Sequence, residues 1–543
     1  MTLNSGIASN SRNDPLVAWA VFFGSLAVLW PFYLHRDFAG LEVRFAYFVQ
    51  EMWRTGMTLY PHTQIGPYPD YPVTSTWLTY GLSKLFGGFS LPVALLPSAV
   101  VSAGTVATVW RIGALHSREY GTIAALLLLS TVGFLMQART TSLDAWVMFS
   151  ACLCFYLAIS AVLKGSRMPL VKLLLLIFIA AIFRGAVGGV IATGVVSAVF
   201  LVNRRWKDLF LHGFCAALVI AASVALLITA AYLEGGREFV DRAVDFQFSR
   251  RFGDPDSGLD VYFLGAMGSY AISYPLALIA VIAIALKGKP SASAYSLLLI
   301  SIIAWLMIVV MGMSIPGTKK TRYILAAAPA MALLAGALLV RAKEYHFPRV
   351  RRAVLIFLAT MPLIVCIAML ALSRSELAVN LSMQANLLST AILTALLALC
   401  SYLSLRKLED PQQLWAILVI FTLTVLSAKY LVEEPVQQLH ESDQEFVSAI
   451  QGYRDSMGSS RLGFYRLGPE YQDMNYLVVL NSAERPVYAW EIANIDMGTS
   501  QAPLILILLT ENLATFSKTY QRPWEEIARG RLGHKECVAL RLD

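Results

Sequence analysis

Glu42 and Arg44 stand two residues apart in GLEVRFAYFVQEM, just after the first long apolar run of the chain. A carboxylate there can take a proton from an attacking hydroxyl, and a guanidinium can hold negative charge that develops on a leaving group. The same acid at a helix start can instead complement the helix dipole, worth about 0.3–1 kcal/mol. Other ionisable groups sit at comparable places: Asp70 in PYPDYP, Arg139 and Asp144 in ARTTSLDAW, Arg184 in FRGAVGG, Arg250 and Arg251 in FSRRF, and Lys319, Lys320 and Arg322 in GTKKTRY. At membrane depth such groups are expensive and are functional candidates by default. Asp144 could equally be an N-terminal helix charge or the partner of Arg139. The three cations of GTKKTRY could snorkel to the interface. His62, His440 and His534 share no ligand spacing and no CxxC pair occurs, so neither a metal nor a cofactor is implied.

The elements that carry these residues are membrane helices. The chain is 57% hydrophobic and 14% charged, where soluble domains run nearer a quarter charged. Apolar runs of spanning length recur at 16–34, 91–113, 119–136, 144–163, 170–183, 187–202, 209–232, 263–286, 294–313, 323–341, 353–373, 386–404 and 413–432. That makes about thirteen helices, the pair around Arg184 being short. The polar MTLNSGIASNSRNDP is too weakly basic for a signal peptide, and the run after it lacks a small-residue cleavage site, so it reads as a retained first helix.

Loop charge gives the orientation. With the N-terminus inside, clusters such as Arg204, Arg205 and Lys207, or Arg349, Arg351 and Arg352, alternate onto one side. The formal net charge of +8 then reflects positive-inside loops and anionic lipid rather than nucleic acid. An odd helix count sends residues 433–543 outside, together with the two long loops 35–90 and 233–262. Domain organisation is therefore a transmembrane part, 1–432, and an outer part, 433–543. Within 42–55, Phe45, Phe48, Val49, Met52 and Trp53 share one helical face, which suits either a helix in the interface plane or one packed on the bundle. The tail alternates strand-like runs (LGFYRL, YLVVL, LILILL) with a helical patch near 516–529, and reads as a small α/β domain.

With these motifs in place, the chain resembles the polyprenyl-phosphate-sugar-dependent glycosyltransferases of the GT-C fold. Within the protein O-mannosyltransferase-like superfamily, it is most similar to the bacterial branch that includes lipid A aminoarabinose transferase. The resemblance rests on LEVRFAYFVQEM, TGMTLYP, PYPDYPVTSTWL, TSLDAWVMF, RGAVGGVI, FSRRFGD and TKKTRYILAAAPAMALLAG. It implies about thirteen helices with a periplasmic C-terminal α/β domain in a bacterial inner membrane. It also implies that Glu42 matches the second acid of a first-loop pair, Arg44 its arginine, Asp70 the acid of a Pro-containing segment and Asp144 the acid opening the fourth helix. Arg251 matches a loop arginine, and Lys319 with Tyr323 a lysine and tyrosine. In that family the cations and tyrosine hold the donor phosphate and a first-loop acid lies at the reaction centre. Two positions depart from the pattern: Leu41 stands where the first acid is usual, and Tyr71 where a phosphate-binding lysine is usual.

The implied activity is transfer of a sugar from a polyprenyl-phosphate donor to an envelope acceptor on the periplasmic face. The acceptor could be lipid A or lipopolysaccharide, another surface glycan, or a protein, and inversion at the anomeric carbon is the family expectation. Arg44, Arg251, Lys319 and Tyr323 are assigned to the donor phosphate, with Lys320 or Arg322 making good the cation missing at Tyr71. Glu42, then Asp70, is the candidate base, and Asp144, Arg139 and Arg250 support the site. An acceptor phosphate would need no base. The rival reading is a carrier or flippase for a lipid-linked sugar, which should show repeats and broken midplane helices.

Overall fold

The chain runs as a succession of apolar helices, since lipid offers a spanning backbone no hydrogen-bond partners outside its own helix. The computed structural model describes residues 14–30, 38, 41–63, 66–249, 258, 260–286, 293–340, 348–375, 378, 383–405, 411–436, 444–457, 461–467, 487–489, 491, 504–532 and 535–542. The first half comprises α1 (Asp14–Leu29), α2 (Leu41–Thr55), a two-stranded hairpin of β1 (His62–Thr63) and β2 (Gly66–Pro67), α3 (Thr74–Leu85), α4 (Leu91–Ala114), α5 (Arg118–Leu129), α6 (Val132–Ala138), α7 (Leu143–Leu163), α8 (Leu170–Arg184), α9 (Ala186–Val202) and α10 (Trp206–Val244). The second half of the bundle adds α11 (Ala266–Ser269), α12 (Ser273–Leu286), α13 (Ala294–Met313), α14 (Ala328–Ala337), α15 (Pro348–Ser373), α16 (Gln384–Leu405) and α17 (Pro411–Ala428).

Each of the thirteen expected apolar runs contains helix in its described part. By length and apolarity, however, seven helices qualify as membrane spans among the described residues, or eight if the pair α5–α6, bent by 72°, counts as one. The others are short or interrupted. The run 263–286 begins in a π-turn (Val261–Gly265), and only α12 is a continuous helix. The run 323–341 opens as a 3-10 turn, Thr321–Ala327, before α14. The main apolar core lies among α4, α5, α7, α9, α12, α13 and α14. Leu226 of α10, Ile367 of α15 and Leu396 of α16 instead leave more than half their surface exposed, as expected of faces turned to acyl chains. The chain is a multi-pass membrane protein.

Both long loops carry regular structure in their described parts. Residues 35–90 hold α2, the hairpin and α3, and α10 continues to Val244 past a kink at Gly235 and Gly236. Most of the apolar face of α2 is buried in protein rather than laid in an interface: Phe48, Val49 and Met52 are at most 1% exposed and Phe45 is buried, while Trp53 at its end is 38% exposed. One buried cluster joins that face to the tail, through Phe446 and Ile450 of α18 (Gln444–Met457) and Phe464 of β3 (Arg461–Tyr465).

The tail forms a five-stranded mixed sheet of β3, β4 (Val487–Ala489), β5 (Leu504–Leu509), β6 (Trp524–Leu532) and β7 (Lys535–Leu542), in the order β4-β3-β5-β7-β6. The runs LGFYRL and LILILL form β3 and β5, which pair in parallel. YLVVL lies outside the described residues. The expected helix near 516–529 is a correction: α19 (Leu513–Thr519) stops before Pro523, and Trp524 onward is strand. Proline has no N–H to continue a helix, and antiparallel pairing with β7 satisfies the backbone beyond it.

Candidate active site

Four stretches converge at one end of the bundle. The first is the opening of α2. Glu42 is 3% exposed in its first turn. One turn is enough to bring Arg44 over the strap that follows the hairpin. Its Nη1 donates to the Tyr71 hydroxyl at 3.3 Å and lies 4.0 Å from Asp70 Oδ2. Its guanidinium carbon sits 5.7 Å and 5.8 Å from the ring centroids of Tyr68 and Tyr71, within cation–π range. Those two rings stack on each other at 6.1 Å, and Phe45 packs on Tyr71 at 5.3 Å. The strap is held from its far side by Gln247, whose Nε2 donates to the Asp70 carbonyl.

The second and third stretches are the start of α7 and the α8–α9 reversal. The Ser142 amide donates to Ser98 Oγ at 3.0 Å, fixing the α7 start on α4, and Asp144 follows in the first turn. Arg184 ends α8, and Gly185 turns the chain into α9 with φ of 73°, a left-handed conformation that a side chain would strain. A Cβ on Gly188 would meet the Ala180 carbonyl oxygen at 2.2 Å, so the reversal needs that glycine for close approach. The result is an ion pair across α7 and α8, with Arg184 Nε donating to Asp144 Oδ1 at 2.7 Å.

The fourth stretch is the GTKKTRY segment. Arg322 Nε lies 4.0 Å from Asp144 Oδ2, so one carboxylate sits between two guanidiniums. Both guanidiniums also flank the Tyr323 ring, at 5.7 Å for Arg184 and 5.6 Å for Arg322. Lys319 Nζ donates to the Gly317 carbonyl at 3.2 Å, and Lys320 is exposed. The segment is fixed from behind by the Tyr270 hydroxyl on the Thr321 carbonyl and by Trp305 Nε1 on the Ala326 carbonyl. Tyr71 joins the two halves. Burial first, then Asp70, pushes its hydroxyl above the ordinary phenol value, while Arg44, Arg184 and Arg322 pull the other way. All three arginines are therefore within electrostatic reach of one phenol.

Beside this cluster lies a cavity of about 400 Å³ between α9, α10 and α13, walled by residues such as Val190, Ile191, Leu227 and Val309. Its lining also includes Pro72, Gly185 and Pro316. Pro72 follows Tyr71, Gly185 follows Arg184, and Pro316 precedes the GTKKTRY segment. An apolar chamber and a cationic cluster thus share a border.

Not every expected residue joins the site. Arg139 faces away: its Nε and Nη2 donate to Glu434 at 2.5 Å and 2.8 Å, and its Nη1 to the Leu29 carbonyl at 3.2 Å. The partner of Asp144 is accordingly Arg184, which lies directly across the α7–α8 interface. Arg250 and Arg251 lie outside the described residues. Among the described residues no group of three metal-ligating side chains occurs. The ligand set drawn from sequence left out Arg184. An arginine that ends an apolar run immediately before a glycine was the available signal, because such a charge must face a partner or a cavity.

No family model matches the chain, and no curated protein matches it. Solved structures do. The crystal structure of ArnT from Cupriavidus metallidurans bound to undecaprenyl phosphate superposes with a TM-score of 0.69 at 17% identity, over 97% of each chain. The apo form of ArnT matches with the same score and coverage at 18% identity. The chain has the GT-C fold. Arabinosyltransferase EmbB from Mycobacterium smegmatis is more distant, with a TM-score of 0.46 and 13% identity over 82% of this chain and 43% of that one.

Proposed function

We propose that the protein is an integral membrane glycosyltransferase that moves a sugar from a polyprenyl-phosphate donor to a cell-envelope acceptor. The observation that carries this reading is the shared border of the apolar cavity and the arginine cluster. An amphiphile with a long apolar chain and an anionic head fits both at once. ArnT, whose fold this chain shares, is bound to undecaprenyl phosphate in its crystal structure, which supports the same class of donor here.

In the proposed reaction the bond between the anomeric carbon and the phosphate oxygen breaks, and a bond from that carbon to the acceptor oxygen forms, with inversion. The electron pair leaves with the polyprenyl phosphomonoester. Arg44, the Tyr71 hydroxyl that it donates to, Tyr323 and Lys319 are assigned to stabilise the charge that develops there. If the acceptor is a hydroxyl, its proton passes to Glu42. Asp70, already within 4.0 Å of Arg44, is the second choice. The chemistry takes place on the outer, periplasmic side of an inner membrane. The loop charges and apolar runs of the sequence, read as an odd number of crossings from an N-terminus inside, support putting loops 35–90 and 233–262 and the domain 433–543 on that side, and lipid A or a related envelope glycan is the proposed acceptor class.

The test is turnover. Purified full-length protein is mixed with a polyprenyl-phosphate sugar and a panel of lipid, glycan and protein acceptors, and released polyprenyl phosphate is measured. Release that depends on an acceptor supports the transferase. Donor binding without release across the panel would make the protein a carrier of the lipid-linked sugar. Release only with a protein acceptor would make it a protein O-glycosyltransferase.

A further inference from the structure

The arginine at the α8–α9 reversal is built like a ligand-binding group that is waiting for its ligand. The Arg184 side chain is 8% exposed, yet its Nη1 has no hydrogen-bond partner among the described residues. A buried guanidinium donor without an acceptor is costly, and native structures retain one only for a reason. Its Nε is occupied by Asp144, which orients the guanidinium plane and leaves the Nη edge for something else. That edge belongs to a cluster in which Arg44 lies near Asp70, and Arg184 and Arg322 both lie near Asp144.

Position adds the rest. Gly185, the next residue, lines the apolar cavity, so the guanidinium sits where that chamber gives way to the charged cluster. The end of α8 is also fixed, since Thr74 Oγ1 donates to the Ile182 carbonyl at 2.8 Å. A planar guanidinium held on one side by a carboxylate and open on the other suits two parallel hydrogen bonds to phosphate oxygens.

We infer that Arg184 is a direct ligand of the donor's phosphate, and that Asp144 is the positioning residue that aims it. This rests on the polyprenyl-phosphate reading above and names which cation meets the head group at the cavity's edge. It also accounts for the tyrosine at position 71: with Arg184 and Arg322 near enough to act electrostatically on its phenol, the head group is met by cations without one at that position.

The experiment compares two probes of equal chain length, a polyprenyl phosphate and the corresponding polyprenyl alcohol, binding to full-length protein in lipid nanodiscs. Wild type should prefer the phosphate. Arg184→Gln should lose roughly 10- to 100-fold in phosphate affinity while its alcohol affinity stays put. Arg184→Lys should recover part of that loss, and Asp144→Asn should weaken phosphate binding with the alcohol again unchanged. Equal phosphate affinity in well-folded Arg184→Gln would overturn the assignment. So would a matched fall for both probes, which would mean that Arg184 only shapes the cavity mouth. Should Arg184→Gln fail to fold, Arg184→Lys decides by the same ratio. If wild type shows no preference for phosphate over alcohol, the donor reading itself falls, which is a different outcome from failure of Arg184 alone.

Discussion

The Arg139–Glu434 pair offers the sharpest test of the distinction between scaffold and site. Arg139 is 4% exposed and spends three donors on Glu434 and the Leu29 carbonyl. Its guanidinium also lies 4.3 Å from the centroid of the Tyr430 ring, and the Tyr430 hydroxyl donates to the Val28 carbonyl at 2.7 Å. One side chain therefore ties the end of α6 to the end of α1 and to the turn that follows α17. Removing Glu434 leaves that cation buried without its carboxylate, which costs about 3–5 kcal/mol in comparable pairs. Glu434→Ala should therefore lower unfolding stability in mixed micelles by about 3 kcal/mol, the lower end of that range. Arg139→Met should cost a similar amount. The double variant Arg139→Met, Glu434→Leu should return to within about 1 kcal/mol of wild type, since an apolar pair of similar volume removes both charges together. Donor KM should be unchanged in the fraction that stays folded. If instead Glu434→Ala unfolds like wild type, or if Arg139→Met raises donor KM with stability intact, Arg139 contacts substrate and the scaffold argument is wrong.

Other expectations follow from the site's geometry. A side chain at Gly312 of α13 would point into open space that lines the cavity, so Gly312→Leu should fold normally and raise KM for long prenyl donors several-fold more than for short ones. An unchanged KM ratio would remove the cavity as the tail site. Glu42→Gln should cut kcat by about 10²–10⁴ if a hydroxyl is the acceptor, whereas Asp70→Asn should act mainly through KM by loosening Arg44. Wild-type turnover in Glu42→Gln would move the base to Asp70. Glu234 accepts from the Leu59 amide and pairs with His62, both at 2.6 Å, pinning the entry to the β1–β2 hairpin to α10. Glu234→Ala should speed proteolysis within 56–67 and destabilise the hairpin by about 1–3 kcal/mol, and Glu234→Gln should restore most of it. The Tyr71 hydroxyl, raised above the ordinary phenol range, keeps its proton in the folded state past pH 10. The sign is that of a raised folded-state value: the protonated form is favoured, and its contribution is lost only as pH climbs above the unfolded value. An alkaline fall in activity below pH 9 that Tyr71→Phe abolishes would contradict this.

Sequence reading reached the helices more easily than the contacts between them. Apolar runs long enough to span leave a composition signal that survives without any partner, and so α4, α7, α13, α15 and α16 lie close to where the runs were read. The amphipathic face of α2 was legible as a pattern, but a pattern cannot say whether lipid or protein covers it. The structure shows protein, with the tail's Phe446 and Ile450 in the same buried cluster. The helical spacing around 524–529 was overridden by pairing with a strand ten or so residues later, information that no local window contains. Pairing among charges was the least legible part. Asp144 lies five residues from Arg139 in sequence and forty from Arg184, yet the bundle brings the distant one within 2.7 Å.

That contrast is physical rather than accidental. A buried guanidinium carries five N–H donors, and burying it without acceptors is among the more expensive things a membrane protein can do. Arg139 meets the cost inside the chain: a carboxylate takes two donors, a carbonyl takes a third, and an aromatic face lies alongside. Arg184 is almost as deeply buried, but Asp144 takes Nε and leaves Nη1 without a partner among the described residues. Two arginines that look alike as interruptions of an apolar sequence are thus separated by one question: whether the protein itself supplies all the acceptors. Where it does, the arginine is expected to answer to stability assays alone. Where it leaves a donor open beside an apolar chamber, the missing acceptor has to arrive with a ligand, and the ligand has to bring an apolar chain with it.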